Sequence, residues 1–271
     1  VSDMPPEAPA DAPADAGSGP APRIALPPVI GHRGAAGLAP ENTLPGLRAA
    51  ADAGCRWVEV DVMLAACGTP MLHHDVSLQR IEGVDGRLDR WTAPQLAELD
   101  AGAHFGPEFA GTRIPTLADA LREMLRLDLR PNLEIKPAPG AAQETARAAV
   151  ATVREVWPAD RARPLISSFQ RDCLTVARTA APDLPRGLIA QARPRRWRAL
   201  LAELDCVSLH LAADRLRPAD VRETADAGWA VAVYTVNDGA RAARLRGWGA
   251  HAIITDRPDL MPTGFFREHG L

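Results

Sequence analysis

Aromatic side chains are scarce in this chain, at 4% of its 271 residues, with a single tyrosine among them. No apolar run approaches the ~18 residues that a membrane-crossing helix requires, so stable membrane insertion is not expected. There is no basic excess either. The 31 Lys and Arg stand against 34 Asp and Glu for a net charge of −3, which argues against a general nucleic-acid binder. Cys55, Cys67, Cys173 and Cys206 include no C-x-x-C pair, so reduced, mostly buried thiols are expected rather than a zinc site or a disulfide framework. No G-x-G-x-x-G follows the first apolar run, which weakens a dinucleotide-binding reading. The first residues lack the basic start and apolar stretch of a secretory leader. With the unpaired cysteines this suggests a cytoplasmic location, although a chain starting at Val1 leaves room for a leader already removed.

Residues 1–22 are rich in Pro, Ala and Asp and carry Asp3, Glu7, Asp11 and Asp15 with no basic partner. Too little apolar surface is present to offset the entropy of ordering, so this stretch reads as a disordered acidic tail. The remainder, residues 23–271, reads as one domain, with 46% hydrophobic residues in the whole chain to build a core. Short apolar runs recur at Val29–Gly31, Trp57–Met63, Asn132–Lys136, Leu165–Ser168, Arg186–Ala190, Cys206–His210, Ala230–Thr235 and Ala252–Thr255. Helical patterns alternate with them: Leu44–Ala53, Leu117–Arg126, Ala141–Val156, Arg171–Ala180, Pro194–Glu203, Pro218–Ala227 and Asp238–Gly247. Strand-then-helix alternation implies a parallel sheet covered by helices, and eight repeats favour an α/β fold closed as a (β/α)8 TIM-type barrel. Residues 75–115 break the rhythm as a small insertion after the second strand. They hold Trp91, Phe105 and Phe109, and are expected either to form a lid or pocket wall or to pack on the barrel rim.

Strands of a parallel barrel are buried on both faces, so charge within them is costly. Yet Glu59 and Asp61 share one face of Trp57–Met63, and Glu134 and Lys136 share one face of Asn132–Lys136. Three carboxylates converging in a low-dielectric interior repel unless neutralised, and an all-oxygen ligand set points to one divalent cation, Mg²⁺ or Ca²⁺. The competing reading pairs Glu134 with Lys136 and leaves the E-x-D to arginines. Gly31-His32-Arg33-Gly34 ends the first strand, where flanking glycines allow a sharp turn and a close approach to a ligand. His32 and Arg33 then emerge at the C-terminal rim, Arg33 with a planar fork suited to phosphate. In His73-His74-Asp75 the two imidazoles must point opposite ways, so only one enters the site, and it has the pKa range of a general acid or base.

Together these segments resemble the glycerophosphodiester phosphodiesterase family from about Ile30 to Leu260. They are GHRGAAGLAPENTLPGLRAAADAG, WVEVDVMLAACGTPMLHHDVSLQR, LAELDAGAHFGPEFAGTRIPTLADAL, NLEIK, ISSF, YTVND and IITDRPDL, in the family's order. The resemblance implies metal-dependent hydrolysis of a small glycerophosphodiester to glycerol 3-phosphate and an alcohol. It implies Glu59, Asp61 and Glu134 as metal ligands, His32 and His74 as the catalytic pair, and Arg33 and Lys136 on the phosphate. Glu41, Asn42 and Thr43 match its P-E-N-T stretch and read as residues that start a helix and orient the ligands. Cys67 stands where the family usually has aspartate, at a turn, and Tyr234 where tryptophan is usual, which alters the alcohol pocket. Alternatives are a related barrel phospholipase D or sphingomyelinase acting on lipids, or a barrel that binds a phosphodiester without cleaving it. A homo-oligomer is compatible with the sequence.

Overall fold

The computed structural model describes residues 23–271; the acidic tail expected at residues 1–22 lies outside them. Each β-branched run becomes a strand and each amphipathic run a helix. The chain opens with β1 (Val29–Gly31), α1 (Leu44–Asp52), β2 (Trp57–Leu64) and β3 (Pro70–Leu72). The insertion holds two single-turn helices, α2 (Gln79–Glu82) and α3 (Ala93–Leu96). There follow α4 (Leu117–Arg126), β4 (Arg130–Ile135), α5 (Ala142–Val156), β5 (Leu165–Ser168), α6 (Arg171–Ala180), β6 (Arg186–Ala190) and α7 (Trp197–Glu203). The last elements are β7 (Ser208–Ala212), α8 (Pro218–Asp226), β8 (Ala230–Tyr234), α9 (Gly239–Gly247), β9 (Ala252–Thr255) and α10 (Phe265–Glu268).

Eight strands pair in parallel, and β1 bonds to both β2 and β9, which closes the barrel. The ninth strand was not expected. β3 runs antiparallel to β2 through Val62↔Leu72 and Met63↔Met71, so the segment after β2 is a hairpin before it is an insertion. Several run boundaries also shift. β7 covers Ser208–Ala212 rather than Cys206–His210, β4 ends at Ile135 so that Lys136 sits just past it, and α7 starts at Trp197 rather than Pro194.

The outer faces of the strands meet the helices in an apolar layer. Val58, Val60, Val62, Leu133, Ile135 and Ile166 pack there against Leu117, Leu121 and Met124 of α4 and Ala146, Val150 and Val153 of α5. Fully burying one such side chain contributes about 1.5–3 kcal/mol. Inside the barrel Ile30, Trp57, Leu165, Ala232, Ala252 and Ile254 form a separate apolar plug toward the N-terminal ends of the strands. The inward carboxylates of β2 and β4 stand above this plug, toward the C-terminal mouth. The insertion has a core of its own, in which Met71, Leu78, Ile81, Leu88, Leu96 and Ile114 pack on Met63 with Trp91 at the edge. It is thereby packed onto the end of β2 through Met63.

Candidate active site

Barrel register brings the carboxylates together. Asp61 on β2 is the register partner of Glu134 on β4, and Glu59 stands two residues before Asp61 on the same inward face. One ligand atom from each of Glu59, Asp61 and Glu134 lies within 4.8 Å of the others, the one acidic group of this kind among the described residues. Glu59 is only 3% exposed and its Oε1 has no hydrogen-bond partner. Burial, and then the charges of Asp61 and Glu134, push the Glu59 pKa well above the carboxylate range. Burial and Asp61 raise that of Glu134 to about 8, against the opposing pull of Lys136 and Arg33. A buried oxygen without a donor, among carboxylates that resist ionising together, fits a site for a divalent cation.

Asn42 fixes Asp61 with both ends of one amide: Nδ2 donates to Oδ2 at 2.9 Å and Oδ1 accepts from the Asp61 N–H at 3.0 Å. Thr43 caps α1, its hydroxyl accepting from the Gly46 N–H at 3.2 Å. The P-E-N-T stretch thus has the helix-starting and orienting geometry expected of it. Glycines 31 and 34 make the sharp turn possible. A Cβ on Gly31 would lie 2.0 Å from the Gly34 carbonyl oxygen, and one on Gly34 would lie 2.7 Å from the Gly46 backbone. They let the chain approach itself closely. That turn places Arg33 at φ 50°, its N–H on Glu59 Oε2 at 3.0 Å and its Nε 3.5 Å from Asp61 Oδ2. Lys136 Nζ approaches Asp61 Oδ1 at 3.7 Å from the opposite side. It is the only lysine in the chain.

Both imidazoles expected in the site are held by a carboxylate at Nδ1. His32 meets Asp256 Oδ1 at 2.6 Å, and His74 meets Asp75 Oδ1 at 2.5 Å. A carboxylate can only accept, so Nδ1 carries the proton and Nε2 is left for chemistry. His32 Nε2 lies 3.8 Å from Glu59 Oε2, directly beside the acidic cluster. Burial lowers the His74 pKa; Asp61 acts the other way, but Arg33 and Lys136 add to the lowering. Its neighbour turns away. His73 is buried against Glu82, with Nε2 to Oε1 at 3.2 Å.

The sequence reading missed Asp256, Asn237 and Arg80. Asn237 Nδ2 donates to Asp256 Oδ2 at 2.7 Å, so the carboxylate behind His32 is itself oriented. Both residues stand in the quoted YTVND and IITDRPDL segments, which was the only signal available. Tyr234 stacks edge-on with Phe169 at 6.2 Å, and Phe169 is 39% exposed, giving the mouth one aromatic wall.

The model of the glycerophosphoryl diester phosphodiesterase family matches residues 32–260. A glycerophosphodiester phosphodiesterase of Caldanaerobacter subterraneus is 31% identical over 238 residues, covering 86% of this chain and 95% of that protein. An Oleispira antarctica phosphodiesterase, solved with the product sn-glycerol-3-phosphate, superposes with a TM-score of 0.84 at 37% identity, covering 87% of this chain and 95% of its own. A glycerophosphodiester phosphodiesterase from Agrobacterium tumefaciens shares the fold at a TM-score of 0.73 and 24% identity, over 89% of this chain and 100% of that one.

Proposed function

This chain belongs to the glycerophosphoryl diester phosphodiesterase family of phosphoric diester hydrolases, and from that membership we propose that it cleaves glycerophosphodiesters to glycerol 3-phosphate and an alcohol by acid–base catalysis from His32 and His74. The observation that carries the reading is the convergence of Glu59, Asp61 and Glu134 within 4.8 Å, with His32 Nε2 at its edge. The relative from Oleispira, solved with glycerol 3-phosphate, supports the same product here.

The three carboxylates would hold one Mg²⁺ or Ca²⁺, hard ions that favour oxygen donors. When bound, such an ion supplies positive charge against the substrate phosphate. Arg33 and Lys136, on either side of Asp61, hold the non-bridging oxygens and stabilise the charge that grows on them. His32 takes the proton from the attacking O–H through Nε2, and Asp256 stabilises the imidazolium that results. That O–H belongs either to water or to the substrate's own glycerol, whose cyclic phosphate a second, water-consuming step then opens. His74 protonates the departing alkoxide, a poor leaving group that needs an acid. In the free chain burial, with Arg33 and Lys136, favours neutral His74, and an anionic phosphate beside the ring works against that bias. Tyr234 and Phe169 wall the side on which the alcohol would sit.

The test is a panel of glycerophosphodiesters with different head groups, assayed for glycerol 3-phosphate after chelation and add-back of each ion. His74→Ala should lower kcat by about 10²–10⁴-fold, and an unchanged rate would remove His74 from the mechanism. Turnover of vesicle lipids in preference to soluble glycerophosphocholine would favour the lipase reading instead.

A further inference from the structure

Arg33 and His74 come from separate parts of the chain, one after β1 and one after β3, yet a single side chain connects them. Arg80, on α2, donates through Nε to Asp75 Oδ2 at 2.6 Å. Through Nη1 and Nη2 it donates to Glu41 Oε2 and Oε1 at 2.8 and 2.7 Å. Asp75 Oδ1 in turn accepts a hydrogen bond from His74 Nδ1 at 2.5 Å, and Glu41 Oε1 accepts one from Arg33 Nη1 at 2.8 Å. The result is one unbroken row, His74–Asp75–Arg80–Glu41–Arg33. Only a planar guanidinium has donors on two edges to span two carboxylates at once.

The helix carrying Arg80 is fixed two residues further on. Glu82, with a fully buried side chain, faces His73 Nε2 at 3.2 Å. His73 Nδ1 donates to the Asp75 carbonyl at 2.6 Å, and Ile81 between the two grips packs in the core of the insertion. The segment bearing His74 is therefore held at two points by one turn of helix.

We propose that Arg80 is a positioning residue for the phosphodiesterase reaction, setting His74 through Asp75 and Arg33 through Glu41 so that both meet the same phosphate. Two physical effects follow. Asp75 is kept from rotating, which fixes the orientation and tautomer of the His74 ring. Glu41 is neutralised by a second cation, so Arg33 can share its donors with a phosphate without leaving a buried carboxylate unpaired. Burial alone would raise the pKa of Asp75 and Glu41, but the hydrogen bonds and charge of Arg80, together with His74 on Asp75 and Arg33 on Glu41, hold both at about 2, so both are charged throughout the working range. The Arg80 side chain is 47% exposed, so its ion pairs contribute little to barrel stability. Through Arg80 the insertion is linked to the chemistry.

The inference rests on the roles given above to Arg33 and His74, and the experiment separates the two. Full-chain Arg80→Gln and Arg80→Lys are compared with His74→Ala and Arg33→Ala on two substrates. These are glycerophosphocholine and the p-nitrophenyl diester of glycerol phosphate, whose leaving group needs no acid. Arg80→Gln should lower kcat on glycerophosphocholine by about 10–100-fold and raise KM, with the melting temperature nearly unchanged. The kcat loss should be smaller on the nitrophenyl diester, where only the Arg33 arm is felt. Arg80→Lys, able to reach one carboxylate at a time, should fall between. Equal losses on both substrates would refute the link to His74, and full activity in Arg80→Gln would refute the inference outright. Full activity in His74→Ala and Arg33→Ala would instead defeat the catalytic roles themselves.

Discussion

Asn42 holds Asp61 by side chain and main chain at once, and it does so from a backbone at φ 55°. Asn and Gly are the residues that adopt this left-handed region at least cost. Asn42→Gly therefore removes the amide without adding strain, and should weaken metal affinity or activity by about 10–100-fold. Activity titrated against Mg²⁺ and Ca²⁺ measures it; a wild-type curve would show that Asp61 needs no such support. Lys136 allows a complementary test. In a chain with no other lysine, this position beside Asp61 has an ammonium and not a guanidinium. An Arg has a longer, planar head, and displacing a contact by an ångström costs about 10²-fold. Lys136→Arg should thus lower kcat/KM by that order although the charge is kept, and near-normal kinetics would show that charge alone matters. Glu59, Asp61, Glu134 and Lys136 were readable from the sequence because spacing of two within a strand puts side chains on one face. Asp256, 224 positions from His32, had no such local signal.

The elements divide in the same way. Alternation of apolar runs marked the eight barrel strands, since packing on both faces imposes the pattern wherever a strand lies. It missed β3, three residues whose pairing depends on the turn at Cys67-Gly68 and on β2 being there to bond. It also began α7 too early, because Pro194 closes a turn onto the Trp197 N–H and Trp197 is anchored against Trp229 at 5.5 Å. The contacts that tie the insertion to the barrel carry a pH signature of their own. Glu41 and Asp75 have folded pKa values of about 2, below the roughly 4 of an unfolded carboxylate. Their stabilisation is present above that value and is lost as pH falls toward 2. His73 is shifted the other way: burial lowers its pKa, but the charge and hydrogen bond of Glu82 raise it on balance. Its stabilisation is complete below the unfolded pKa of about 6.5 and is lost as pH rises through the folded value. Residues 73–82 should therefore show greatest protection from hydrogen exchange between about pH 5 and 6, with α5 as an internal reference. Protection that tracks α5 at every pH would contradict this.

At the scale of the whole molecule, the acidic cluster costs stability in exchange for chemistry. Charged Glu59 and Glu134 are disfavoured in the folded chain by burial and mutual repulsion, so their folded pKa values lie above the unfolded ones. Ionising them lowers stability as pH rises past about 4.3. Glu59→Gln should consequently raise the melting temperature in chelator. A divalent ion at 100 times its Kd should stabilise the wild type by about 2.7 kcal/mol, and the variant should lose most of that gain. A variant that melts lower in chelator would contradict the cost assigned to charged Glu59, and one that keeps the full ion-dependent rise would show that the cluster is not the cation site.

The sequence by itself determined what depends on neighbours along the chain: which runs become strands and helices, and which face of β2 and β4 bears charge. It also marked which carboxylates, imidazoles and cations could take part in phosphodiester chemistry. Only the tertiary structure decided which of those groups meet. Closure of β1 onto β9 places Asp256 behind His32, and hairpin formation by β3 turns His74 toward the mouth and His73 away from it. Docking of α2 lets Arg80 reach Asp75 and Glu41 together. Contacts of that kind join residues far apart in the chain, and their geometry is set by the packing of the whole barrel, which no local pattern encodes.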